Sequence, residues 1–307
     1  PIVKPPVWKD EIAWYLFTGG LAGGSSTLAL AARLTGNDRL ARSASMLAAG
    51  GLAASPILLV KDLGRPERFL NMFRVFKPSS PMNLGTWLLS AAGAAAGVAA
   101  GCELTGRAPR TRTAAQVAAG VMGPAVATYT AVLLSDTAVP VWHEARRELP
   151  LLFASGAAAS AGAAAVLVTP SAAAGPARRM MLAGAVGELV NARVMEHRLG
   201  VLAEPYREGR AGANARVAKV ATGAGAALSL VAGRRRMAGR LGAALVLGGA
   251  VAERFAIFRA GSQSAADPRY VVESQRGTGG FAPDRVRVPE NGDRQRQAGE
   301  ENQHEHT

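Results

Sequence analysis

LPLLFASGAAASAGAAAVLV, residues 149–168, runs for twenty positions without a charge and with its one proline at the second position. As helix it would reach about 30 Å, the thickness of a bilayer's hydrocarbon core. A soluble protein would interleave charge through such a stretch. Working outward, further mainly apolar segments of span length lie at 12–32, 40–60, 84–102, 114–139, 177–195, 215–232 and 241–258; most charge collects between them, and 177–195, 215–232 and 241–258 carry some of their own. The reading is an all-α integral membrane protein of eight transmembrane helices. Small residues recur inside the spans: Gly19, Gly20, Gly23 and Gly24 in the first, Gly93 and Gly97 in the third, Gly156 and Gly162 in the fifth. In lipid, close backbone packing has to replace the hydrophobic drive between helices, so a tight bundle is expected. Gly120, Gly123 and Pro124 predict a kink in the fourth span.

Composition removes several function classes. The 307 residues carry a net charge of +13, nearly all from arginine flanking the apolar segments. That pattern anchors topology and gives no reason to expect nucleic-acid binding. A single cysteine, Cys102, cannot build a disulfide, a cysteine-ligated iron–sulfur cluster or a thiolate zinc site within the chain. The four histidines, His143, His197, His304 and His306, all lie outside the middles of the spans, so no haem between helices is expected. No cleavable signal is read at the start; the first apolar segment is expected to be a retained span. Gly19 to Gly24 lies inside an apolar helix with no preceding strand and no Lys-Ser/Thr, so it reads as helix packing and not as a nucleotide loop.

One loop breaks the pattern. KDLGRPERFLNMFRVFKPSSPMNLGTW, residues 61–87, sets Lys61, Asp62, Arg65, Glu67, Arg68, Arg74 and Lys77 around Phe69, Phe73 and Phe76. The spacing of Phe69, Met72, Phe73 and Phe76 predicts a short amphipathic helix on the membrane surface, suited to meeting a partner. The wording resembles the NrfD/polysulfide reductase membrane subunits: Asp62 to Pro66 as Asp-Leu-Gly-Arg-Pro, then Arg68-Phe69, Ser80-Pro-Met82 and Gly85-x-Trp87. Residues 264–270 match a further motif that follows the last span of that family.

The resemblance implies a cofactor-free quinone-reactive anchor that passes electrons between quinone, menaquinone here, and a ferredoxin-like iron–sulfur subunit. Behind that subunit would stand a catalytic molybdopterin subunit acting on the soluble substrate. It also implies two four-helix bundles: an arm at 1–11, a first bundle at 12–140 holding the amphipathic loop 61–83, a link at 141–149, a second bundle at 150–260 and a polar tail at 261–307. From residue 275 the tail is too polar to bury a core.

A quinone site needs an apolar slot and donors aimed at the ring oxygens. In the family the opening of the first span supplies polar groups. Here that stretch carries Glu11, Trp14 and Tyr15, with Ile12 at a second family position that cannot hydrogen-bond. Tyr129 matches a fourth-span tyrosine that contacts quinone. Candidates for proton transfer are Asp62, beside the site, and the intramembrane carboxylates Asp136, Glu188 and Glu253, costly in lipid unless paired or hydrated. Arg65, Arg68, Phe69 and Phe73 would dock the partner. A rival reading is an ion- or proton-conducting subunit that uses Asp136, Glu188, Arg193 and Glu253; another is a purely structural anchor.

An even span count puts both termini on one side. The four short loops 33–42, 103–113, 169–179 and 233–240 hold twelve basic residues against only Asp38 and Glu103. The positive-inside rule therefore makes that side cytoplasmic, in a bacterial inner membrane, with the termini and the 61–83 loop facing out.

Overall fold

The computed structural model describes residues 6, 8–63, 71–74, 76–77, 79–231 and 235–277. Among them there is no strand. Eight long helices follow in order: α1 (Asp10–Leu34), α2 (Asp38–Leu63), α3 (Pro81–Thr105), α4 (Pro109–Ser135), α6 (Leu149–Val168), α7 (Gly175–Leu199), α8 (Gly209–Val231) and α9 (Arg236–Ala266). Two short helices, α5 (Pro140–Glu144) and α10 (Pro268–Gly277), and a 3-10 segment (Gly200–Tyr206) complete the elements of the described residues. The protein is a multi-pass membrane protein: α2, α3, α4, α6 and α9 are long and apolar enough to cross a bilayer.

The other three long helices are more polar for identifiable reasons. α1 is rich in Gly, Ser and Thr and sits in the middle, packed on α2, α4, α6 and α9, so little of it needs a lipid-facing apolar surface. α7 carries Glu188, Arg193 and Glu196, and α8 carries Arg210, Arg216 and Lys219. α2 and α4 both pack on α3, α6 packs on α7 and α9, and α8 lies along α9.

Glycine sets the closest approaches. A Cβ at Gly23 would lie 2.8 Å from Ala127 N on α4. At Gly24 it would lie 2.9 Å from Ala161 Cβ on α6. The small residues of the first span thus let α1 touch two backbones at once, which is how helices gain dispersion contact in lipid. Pro56 and Pro124 stand inside α2 and α4 without ending either helix.

Polar locks close the ends. On the basic side, Arg33 pairs with Asp38 and, at 2.8 Å, with Glu103, so the two acids of that side share one guanidinium. On the other side Trp142 of α5 is fully buried, donates from Nε1 to Ile257 O at 2.8 Å and stacks on Trp8 at 5.8 Å. The segment before α1 is thereby tied to α9.

Several expected boundaries move. The link at 141–149 contains most of α5. The region assigned to a polar tail from 261 is helical to residue 277: α9 runs to Ala266 and α10 follows, held by Tyr270 and Ser274 to Glu204 and Glu144 at 3.3 and 3.1 Å. Of the residues expected to form a surface helix, 64–70 lie outside the described residues; Asn71 is helical, and Met72 to Arg74 form a turn and a bend.

Candidate functional site

The segment from Lys77 to Trp87 folds by local chemistry. Ser80 accepts a hydrogen bond from Asn83 N at 3.5 Å and caps α3, whose first residue is Pro81, a position where no N–H is missed. Asn83 then works as a fastener. Its Oδ1 accepts from Lys77 N at 2.8 Å and its Nδ2 donates to Met72 O at 2.7 Å. The loop is therefore pulled over the end of α3. Phe73 and Phe76 pack edge-on against Trp87, with ring centroids at 5.3 and 6.1 Å.

Beneath this loop lies a cavity of about 150 Å³. Its walls come from the segment before α1 (Trp8), α1 (Ile12, Tyr15, Leu16), α2 (Leu59, Asp62), the loop (Met72), α3 (Met82, Gly85, Thr86, Leu89) and α4 (Tyr129, Leu133, Leu134). The lining is almost wholly apolar. Thr86 spends its hydroxyl on Met82 O at 2.9 Å. The other polar groups of the lining are the Trp8 indole N–H, the two phenols and Asp62.

Tyr129 is the informative one. Its Oη is buried and has no hydrogen-bond partner among the described residues. A buried hydroxyl without a partner costs about 1–3 kcal/mol, so such groups normally find an acceptor. The ring lies against the backbone of Gly85: a Cβ there would fall 2.8 Å from Tyr129 Cδ2 and closer still to Cε2. Gly85 of the Gly-x-Trp motif therefore makes the slot that aims Tyr129, while Trp87 of the same motif receives the loop phenylalanines. Tyr15, 3 % exposed, reaches the cavity from α1.

Asp62 sits at the cavity's rim and accepts the backbone N–H of Lys9 at 2.9 Å, tying the start of α1 to the end of α2. Next to it, Glu11 and Lys61 approach to 3.9 Å, and Asp10 meets Arg259 at 2.9 Å. Acids in the first turn of α1 also complement its dipole.

The cavity thus brings together Tyr15, Tyr129 and Asp62. It does not include Glu11, which points to Lys61, or Trp14, which is 43 % exposed and packs edge-on against Phe255 at 5.5 Å. Asp136 follows the last residue of α4 and is exposed, beside His143 at a surface pocket of about 460 Å³. Arg193 is exposed as well. Glu188 and Glu253 are buried, at 3 % and 5 %, and neither lines the cavity. Of the docking candidates, Phe73 is held by Trp87, and Arg65, Arg68 and Phe69 lie outside the described residues. Among the described residues no group of three or more His, Cys, Asp or Glu side chains is placed to hold a metal ion.

Trp8, Leu59, Met72 and Gly85 were not foreseen as lining. The first three are apolar, and no local pattern separates a cavity wall from core. Gly85 was visible in its motif, but its role depends on a tyrosine 44 positions away on another helix.

Fold and site together define a multi-pass helical membrane protein with an enclosed apolar cavity opening near one end of its first four helices. The chain belongs to the NrfD family: the family described as "Polysulphide reductase, NrfD" matches residues 3–203. Every cavity-lining residue falls inside that match. A comparison with curated proteins finds no match.

Proposed function

We propose that this chain is the quinone-reactive membrane subunit of a multi-subunit oxidoreductase, with the cavity under the 61–83 loop as its quinone site. Members of the NrfD family are membrane subunits of molybdoenzyme complexes. The observation that carries the reading here is the buried Tyr129 hydroxyl, unpartnered among the described residues, on a largely apolar slot. A carbonyl oxygen of a quinone ring is the kind of acceptor it lacks. At about 150 Å³ the cavity is smaller than the ~300–1,000 Å³ of a typical drug-sized site. It suits a ring alone, with the tail leaving past Met82, which is 46 % exposed. Menaquinone is our choice of guest.

Quinone, when bound, supplies two-electron, two-proton chemistry to the complex. Tyr129 and Tyr15 would orient the ring by donating to its oxygens. Ile12, Leu16, Leu89, Leu133 and Leu134 would exclude water. Asp62, at the rim, would pass protons between the ring and the surface, in addition to its hold on Lys9. Electrons would cross to an iron–sulfur cluster on a ferredoxin-like subunit seated on the 61–83 loop, with Arg65, Arg68, Phe69 and Phe73 as its footing. A molybdopterin subunit beyond it would act on the soluble substrate.

The eight long helices would all cross the inner membrane as two four-helix bundles, α1–α4 and α6–α9. The pairings of α1 with α2 and α4, and of α9 with α6 and α8, support this. The termini and the loop would face outward. The test is quinol turnover by the assembled complex carrying Tyr129→Phe. A clear fall supports the site; unchanged turnover favours a structural anchor.

A further inference from the structure

Trp142 of α5 is fully buried and is seated on α9 in three ways. Its Nε1 donates to Ile257 O at 2.8 Å. Its ring centre lies 6.3 Å from that of Phe258. One turn beyond Ile257, Gly261 leaves the notch that the indole fills: a Cβ there would collide with Cε2, Cζ2 and Nε1 of Trp142. A buried indole whose N–H is spent and whose edge is keyed into a backbone notch has one resting place.

On that ring rests Trp8, in the segment before α1. The two indoles stack with centroids 5.8 Å apart and planes inclined by 24°. The backbone next to Trp8 is fixed separately. Lys9 N–H donates to Asp62 of α2 at 2.9 Å, and Ile12 N–H closes the start of α1 onto Lys9 O at 3.0 Å. Trp8 is half-buried and lines the same cavity as Asp62, Tyr15 and Tyr129, whereas Trp142 does not line it. Two clamps, one on α2 and one on α5 and α9, thus converge on one aromatic piece of the cavity wall. An indole beside an apolar slot offers a planar guest a partner of its own shape, and aromatic pairs gain beyond the area they bury. That gain depends on where the ring is placed, and the stack on Trp142 is what places it.

We propose that Trp142, keyed into Gly261, is a positioning residue of the quinone site. It acts without touching quinone. It holds the Trp8 ring as the wall on which the quinone ring packs, so α5 and α9 of the second half set the affinity of a cavity built mainly by the first. The inference rests on the reading of this cavity as a quinone site.

The experiment is a double-mutant cycle on the purified full chain in detergent. The Kd of a short-tailed menaquinone analogue is read for wild type, Trp8→Leu, Trp142→Leu and the double variant. Each single variant should bind about threefold to tenfold more weakly, the worth of one aromatic contact. The double variant should bind no more weakly than Trp8→Leu alone, because Trp142 acts through a ring already removed. A general loosening of the fold would instead weaken binding by the same factor in both backgrounds, and losses that multiply in this way overturn the proposal. So does a Trp142→Leu chain that binds as wild type does while Tyr129→Phe binds more weakly; the quinone reading then stands without this inference. A wild-type chain that binds no quinone overturns both. If Trp142→Leu fails to fold, Trp142→Phe, which keeps a ring for the notch, takes its place in the cycle under the same requirement.

Discussion

Tyr129 Oη is a buried donor that no atom of the described residues accepts, so the hydroxyl is a cost to the empty fold and a gain only with a guest. Two substitutions separate these effects. Tyr129→Phe removes the unmet group, so the unliganded chain should keep or slightly raise its Tm in detergent. Its affinity for quinone should fall about threefold to tenfold, the worth of one hydrogen bond of roughly 1 kcal/mol. Gly85→Ala pushes a methyl into the Tyr129 ring. It should cost about 1–3 kcal/mol of stability, as overpacking does. It should also weaken quinone binding at least as much as Tyr129→Phe, because the donor is re-aimed. Calorimetry and a binding titration on both variants check the pair. Tyr15 and Tyr129 were picked out through the family resemblance, and both line the cavity. Asp136 shows how a helix end escapes a hydropathy reading. It follows an apolar run without a break, yet the helix ends at Ser135 and leaves it exposed.

The connecting elements carry their own titration. Tyr206 lies in the 3-10 segment between α7 and α8, and burial raises its phenol above the usual value of about 10. The folded state thus prefers the protonated phenol. Its contribution is fully present below pH ~10 and is lost as pH climbs above that, where the unfolded chain ionises first. Wild-type protein should lose thermal stability between pH 9 and 11 more steeply than Tyr206→Phe, with both measured by Tm across that range. Helix ends show what sequence could and could not define. Residues 149–168 were read to the residue, because glutamate and a charge-free run mark the limits. α7 continues four residues past 195, through Glu196, His197 and Arg198. Hydropathy ends where those charges begin, but basic groups suit a helix C-terminus and the helix persists. α9 likewise runs on to Ala266, and α10 follows as a polar helix that no apolar period announces.

Across the whole molecule, the asymmetry of charge is the strongest statement about orientation. The loops between α1 and α2, α3 and α4, α6 and α7, and α8 and α9 are basic, and their two acids are both tied to Arg33. A cysteine introduced at Arg107 in a chain lacking Cys102 should react with impermeant maleimide only from the cytoplasmic face. One introduced at Lys77 should react only from outside. The all-α membrane class was plain from composition, since charge-free helix-length segments have few other homes. The cavity was not: five separate stretches of chain converge on it, and the sequence holds no record of how helices are apposed. Whether quinone sits among α1, α3 and α4 is read by photolabelling of the membrane-embedded protein with an azidoquinone, followed by peptide mapping. Label is expected on the peptides around Tyr15, residues 82–89 and residues 129–134, displaced by excess quinone. Label confined to α6–α9, or label that excess quinone leaves in place, would contradict that placement.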